Sequence, residues 1–133
     1  MKNDLRTTLV FEPFTVIVAD SSAISRVTLA AILSCDGYRV FQAESLNAAI
    51  ARIDSNKDLD VLFADLNMPS CDSLVRYALQ ARSNPVVIAL AGNDAVSELS
   101  DVQRYSVQAC LQKPFLYKDV RQALSSIERR RAA

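Results

Sequence analysis

A chain of 133 residues, half of them apolar, is sized for a single domain with a real core, and its 15 basic and 15 acidic side chains cancel. Zero net charge removes the electrostatic case for nucleic acid or an anionic membrane as partner. The absence of histidine excludes a histidine-based hydrolase triad, the common zinc sites and any histidine phosphodonor within this chain.

Met1-Lys2-Asn3-Asp4 does not open a signal peptide, and no apolar run approaches the roughly 18 residues of a membrane helix. Cys35, Cys71 and Cys110 are odd in number, widely spaced and free of any CxxC pair, which fits reduced thiols in the cytoplasm. Residues 1–13 show no clear period and read as an N-terminal extension ahead of one domain over 14–131. A first strand is expected over 14–20, ending in Val16-Ile17-Val18-Ala19-Asp20. Ser21 or Ser22 then caps a helix in which Ile24, Val27 and Ala31, with Leu29, Ile32 and Leu33, form a broad apolar face. Asp36-Gly37 ends that helix, glycine being suited to the left-handed turn.

The second strand spans 38–43, and Glu44-Ser45 opens a helix with Leu46, Ala49, Ile50 and Ile53 at helical spacing. A polar loop over 54–58 precedes the third strand, 59–65, whose apolar run Val61-Leu62-Phe63-Ala64 stops at Asp65. A helix over 72–82 carries Leu74, Val75, Ala78 and Leu79. After the turn at Ser83-Asn84-Pro85, Val86-Val87-Ile88-Ala89-Leu90 is the plainest buried strand. A loop from Ala91 leads to a helix capped by Asn93 or Asp94 and reaching about Tyr105. The fifth strand is expected over 107–112, and a last helix over 116–130 buries Val120, Leu124 and Ile127. Its closing Arg129-Arg130-Arg131 suits the negative end of the helix dipole. Five strands alternating with five helices predict an α/β, doubly wound parallel sheet with helices on both faces.

Ligands of such sheets gather beyond the carboxyl ends of the strands. Two apolar strands end there in carboxylates, Asp20 and Asp65, and a third is followed by Lys113-Pro114-Phe115. One carboxylate after one strand is often no more than a helix cap; three polar ends in one sheet are better evidence of a site. Two carboxylates and a lysine suit phosphoryl transfer onto a carboxylate, here Asp65. A hard divalent cation held by carboxylate and carbonyl oxygens offsets the repulsion, and lysine adds a compact positive charge.

Val16-Ile17-Val18-Ala19-Asp20-Ser21-Ser22, Asp65-Leu66-Asn67-Met68-Pro69 and Lys113-Pro114-Phe115 together resemble the three signatures of the receiver domains of bacterial two-component response regulators. Their order and separation match over 15–129. The resemblance implies a flavodoxin-like fold with strand order 2-1-3-4-5. It makes Asp65 the phosphoacceptor and Lys113 its lysine partner, with Asn67 offering a backbone carbonyl to Mg2+ and Lys113-Pro114 in the cis form. It also implies a histidine kinase or histidine phosphotransfer protein as donor, a downstream protein target, and no enzyme activity of its own.

The sequence departs from the pattern in four respects. The family's adjacent acid pair reads Asp20-Ser21, so Asp20 and Asp65 are left as metal ligands with a weak serine hydroxyl, and Mg2+ binding is expected to be weak. The hydroxyl residue after the fourth strand is Ala91, and the aromatic of the fifth is Cys110. The usual hydroxyl–aromatic relay therefore has neither member. Ser70 and Ser73 replace glycines, with an effect on loop shape only.

Three functions remain open on the sequence. A working receiver takes phosphate on Asp65 and signals through the face made by the fourth helix, fifth strand and fifth helix. A pseudo-receiver of the same fold binds partners without phosphorylation. A carboxylate-dependent phosphatase is the third, but Asn67 stands where such enzymes carry a second acid. A homodimer through the helix ending near Tyr105 is left open.

Overall fold

The computed structural model describes residues 14–92 and 107–132. Five strands, β1 (Thr15–Ala19), β2 (Arg39–Ala43), β3 (Val61–Asp65), β4 (Val86–Ala91) and β5 (Ala109–Gln112), form one sheet in the order β2-β1-β3-β4-β5. All four pairings are parallel. The reversal of strand order falls between β1 and β3, so their carboxyl ends, Asp20 and Asp65, flank the crevice. Four helices lie among the described residues: α1 (Ala23–Cys35), α2 (Leu46–Ser55), α3 (Cys71–Leu79) and α4 (Tyr117–Ala132). The helix expected to reach Tyr105 lies outside them, as does the extension over 1–13.

Side chains alternate across each strand, and the two core clusters follow that period of two. Ile17, Ala19, Leu62, Ala64 and Val87 face one side, where Ala49, Ile53, Leu74, Val75 and Ala78 of α2 and α3 cover them. Val16, Val18, Val61, Phe63, Ile88 and Leu90 face the other, against Leu29 and Leu33 of α1 and Val120, Leu124 and Ile127 of α4. Both faces of β1 and β3 are thus fully buried, which explains why their sequences are continuous apolar runs.

The caps are those expected. Ser22 Oγ accepts from Ser25 N at the start of α1, and Ser45 Oγ accepts from Ala48 N at the start of α2. Asp36 is the C-cap of α1, and Gly37 follows at φ +93°. Several edges shift. Helix α2 runs on to Ser55, α3 stops at Leu79, β4 includes Ala91, and β5 begins only at Ala109.

One expectation about α1 fails. Of the expected face, Ile24 is 82% exposed and Val27 51%, and Ala31 is also exposed, whereas Leu29, Ile32 and Leu33 pack on the core. Apolar residues cover so much of this helix's circumference that its period does not fix the inward arc, which the crossover from β1 decides instead.

At the amino end of the sheet, Asp60 is buried and its Oδ2 accepts from Thr15 N at 2.8 Å. Nearby, the Tyr38 hydroxyl donates to Glu128, and Arg121 donates to the Tyr38 hydroxyl at 2.9 Å and to Glu128 Oε1 at 3.2 Å. The Arg121 guanidinium also lies 3.7 Å from Asp36. This network joins α4 to the turn between α1 and β2. Burial and the Glu128 carboxylate push the Tyr38 hydroxyl up to about 12.

Candidate functional site

Asp20 follows the last residue of β1, and its main chain is held by Asp20 N donating to Ala43 O at 3.0 Å. The side chain is wholly buried. Its Oδ1 accepts from Ser22 N at 2.9 Å. Oδ2 has no well-directed hydrogen bond and is balanced by the Lys113 ammonium 2.9 Å away.

Asp65 closes β3 and is 2% exposed. Its Oδ1 accepts from Asn67 N at 3.2 Å and lies 3.6 Å from Lys113 Nζ. Leu66 N donates to Leu90 O and Lys113 N to Ala91 O, so the residues just after β3 and β5 are tied to the end of β4 beside the carboxylate. The Lys113-Pro114 bond is cis, as the resemblance implies.

The three strand ends therefore meet at one rim. A single ammonium serves two buried carboxylates, leaving the trio one negative charge in excess. That shows at Asp65, whose carboxyl is held above its ordinary value by burial, with the Asp20 carboxylate adding to the rise. The Asn67 amide and the Lys113 ammonium oppose it.

The remaining sequence candidates fall around this group. Asn67 is exposed beside the pocket and Ser21 is exposed after Asp20. Ala91 is fully buried, and Cys110 is half-buried, its thiol pushed up by burial. Ser70 adopts φ +64°, the left-handed conformation suited to the glycine that the resemblance places there.

Arg26 is a residue that sequence reasoning missed. Its Nη1 donates to Asp20 O at 3.0 Å and its Nε to Gln42 Oε1 at 3.1 Å, buttressing the turn after β1. The available signal was an arginine on the helix capped by Ser22, within reach of the strand end.

The oxygens of Asp20 and Asp65 are of the kind that a hard cation takes, and the carbonyl of Asn67 could join them. It is a lean set. Among the described residues, no three His, Cys, Asp or Glu side chains gather in metal-binding range, and Lys113 already neutralises Asp20.

Fold and site together define a flavodoxin-like α/β domain with a charged crevice at its topological switch point. The sequence model of the response regulator receiver domain matches residues 16–125. The chain belongs to that family and is a receiver domain of the two-component response regulator type. It is similar to the aerobic respiration control protein ArcA of Escherichia coli K12, at 28% identity over 80 residues, 59% of this chain. That match spans 33% of the relative's length.

Among solved structures, the REC domain of AraT, a response regulator from Geobacillus stearothermophilus, aligns at TM-score 0.76 and 26% identity, covering 90% of this chain and 95% of that one. A response regulator receiver domain protein from Clostridium thermocellum aligns at TM-score 0.78 and 20% identity, covering 90% and 97%, and shares the fold. No helix among the described residues is long and apolar enough to cross a membrane.

Proposed function

We propose that this domain accepts a phosphoryl group on Asp65 from the phosphohistidine of a kinase or phosphotransfer protein and passes the change to a downstream protein. It is not an enzyme acting on substrates of its own. The observation that carries the reading is the convergence of Asp65, Asp20 and Lys113, with Lys113 Nζ within 3.6 Å of both carboxylates. In the transfer, an Asp65 oxygen forms a bond to phosphorus as the donor's nitrogen–phosphorus bond breaks. Lys113, already between the carboxylates, holds the charge that accumulates.

Asp20, Asp65 and the Asn67 carbonyl would hold Mg2+, with Ser21 a weak fourth. When bound, the ion offsets repulsion between the carboxylate and the anionic phosphoryl group. The face including β5 and α4 is the proposed output surface.

A second reading is favoured by particular residues. With Ser21 in place of an acid, no hydroxyl at Ala91 and no aromatic at Cys110, the domain would act as a phosphorylation-independent interaction module.

Treatment with acetyl phosphate and Mg2+, followed by mass spectrometry of the intact protein, separates the two. A phosphate-sized gain that disappears in Asp65→Asn supports the receiver. No gain under conditions that label an ordinary receiver supports the interaction module.

A further inference from the structure

A phosphoryl group on Asp65 carries three oxygens, each needing a donor or a cation in a pocket this closely walled. The donors at the rim are few. Lys113 is committed to Asp20 at 2.9 Å and reaches Asp65 at 3.6 Å. The backbone N–H of Asn67 is bonded to Asp65 Oδ1. On the β4 side stands Ala91, fully buried and without a polar side-chain atom. A transferred group would have no side-chain donor from β4.

One carboxamide stands beside that gap. Register sets Asp65 opposite Leu90, and Leu66 N donates to Leu90 O at 2.9 Å, so the chain leaving β3 starts out beside the end of β4. Asn67 Nδ2 lies 3.8 Å from where a β-carbon on Gly92 would sit. The amide therefore borders Gly92, the residue directly after Ala91. It has no hydrogen-bond partner among the described residues, yet it carries two N–H donors and sits two residues from the acceptor.

We infer that the Asn67 side-chain amide is the phosphoryl-binding donor on the β4 side of the pocket, standing in for the hydroxyl that Ala91 lacks. This rests on the reading of Asp65 as acceptor and assigns Asn67 a role besides that of its backbone carbonyl. In the unmodified domain the amide lies exposed beside Gly92. In the phosphorylated domain it donates to a phosphoryl oxygen and draws the loop after β3 toward Gly92. The closure that a hydroxyl on β4 would have made from one side is made from the other.

Binding of beryllofluoride, a phosphoryl mimic, to the intact protein in saturating Mg2+ tests this when read by fluorine NMR. The lifetime of the acetyl phosphate adduct gives a second readout. Four proteins are compared: the natural chain, Asn67→Ala, Ala91→Ser, and the two substitutions together. Loss of one hydrogen bond to a charged oxygen is expected to weaken beryllofluoride binding about tenfold in Asn67→Ala. Most of that loss should return in the double variant, because the serine introduced on β4 supplies the donor, while thermal unfolding of all four stays alike. Equal binding by Asn67→Ala and the natural chain overturns the inference and leaves the acceptor reading intact. A loss that Ala91→Ser does not repair also overturns it, since Asn67 would then act through loop shape. A natural chain that takes neither probe overturns both readings.

Discussion

Replacement of Lys113 by methionine should expose how the site is held together. The ammonium lies 2.9 Å from Asp20 and 3.6 Å from Asp65, and both carboxylates are essentially inaccessible to water. At an effective dielectric constant of about 20, the two attractions are gross terms of about 6 and about 5 kcal/mol. Desolvation offsets most of this, and the Lys113 side chain retains 20% exposure. A net loss of about 2–4 kcal/mol is expected when the shared cation goes and two buried carboxylates remain.

With a urea slope of about 1.5 kcal/mol per molar, that lowers the unfolding midpoint by roughly 1–3 M. The pH dependence supplies the control. Asp65 already sits above its ordinary value, and Lys113 is one of the influences holding it down, so the variant raises it further. A carboxyl raised in the folded state contributes stability that is complete below its unfolded value of about 3.9 and is lost as pH rises through the folded value. The deficit should therefore be small in acid and grow toward neutrality. Urea titrations followed by circular dichroism at several pH values measure it. A deficit that ignores pH, or none at neutrality, would refute the shared-cation account.

Three further outcomes follow from the geometry. Ser21→Asp restores an acid beside Asp20 and should tighten Mg2+ binding by about tenfold or more in calorimetric titration; unchanged affinity would mean that position 21 does not face the ion. Leu29→Ala should cost about 2–4 kcal/mol while Ile24→Ser stays within about 0.5 kcal/mol, measured by thermal unfolding; the reverse order would contradict the burial of α1. The Tyr38 hydroxyl, held at about 12, contributes stability that is intact below the unfolded value of about 10 and lost as pH rises toward 12. Tyr38→Phe should remove that alkaline slope, and a slope unchanged in the variant would assign it to another tyrosine.

The parts of the fold legible in the sequence are those where one side chain answers to one local rule. Val61-Leu62-Phe63-Ala64 reads as a two-sided buried strand, which puts a carboxylate directly after it at the rim. The same holds for Asp20, and a lysine next to proline marked the third corner. Serines 22 and 45 announced their helices because an N-cap is a local hydrogen bond.

What escaped depends on residues far apart. The inward arc of α1 is set by how the helix crosses back over the sheet, so Ile24 and Val27 looked like core. The bonds joining Arg121 to Tyr38, and Tyr38 to Glu128, connect residues 83 and 90 positions apart, beyond any periodicity. Arg26 escaped because its partner is a backbone carbonyl, which leaves no trace in side-chain chemistry.

The buried tie between Asp60 and Thr15 N has a practical consequence. It anchors the start of β1 at the end of the sheet opposite the acceptor, and the strand's five residues, about 16 Å, span the way from there to Asp20. The described chain therefore enters β1 at the end of the sheet away from the crevice. A dye or affinity handle fixed at that start of β1 is separated from the crevice by the strand's length, so kinetics recorded through it should equal those of the unlabelled protein.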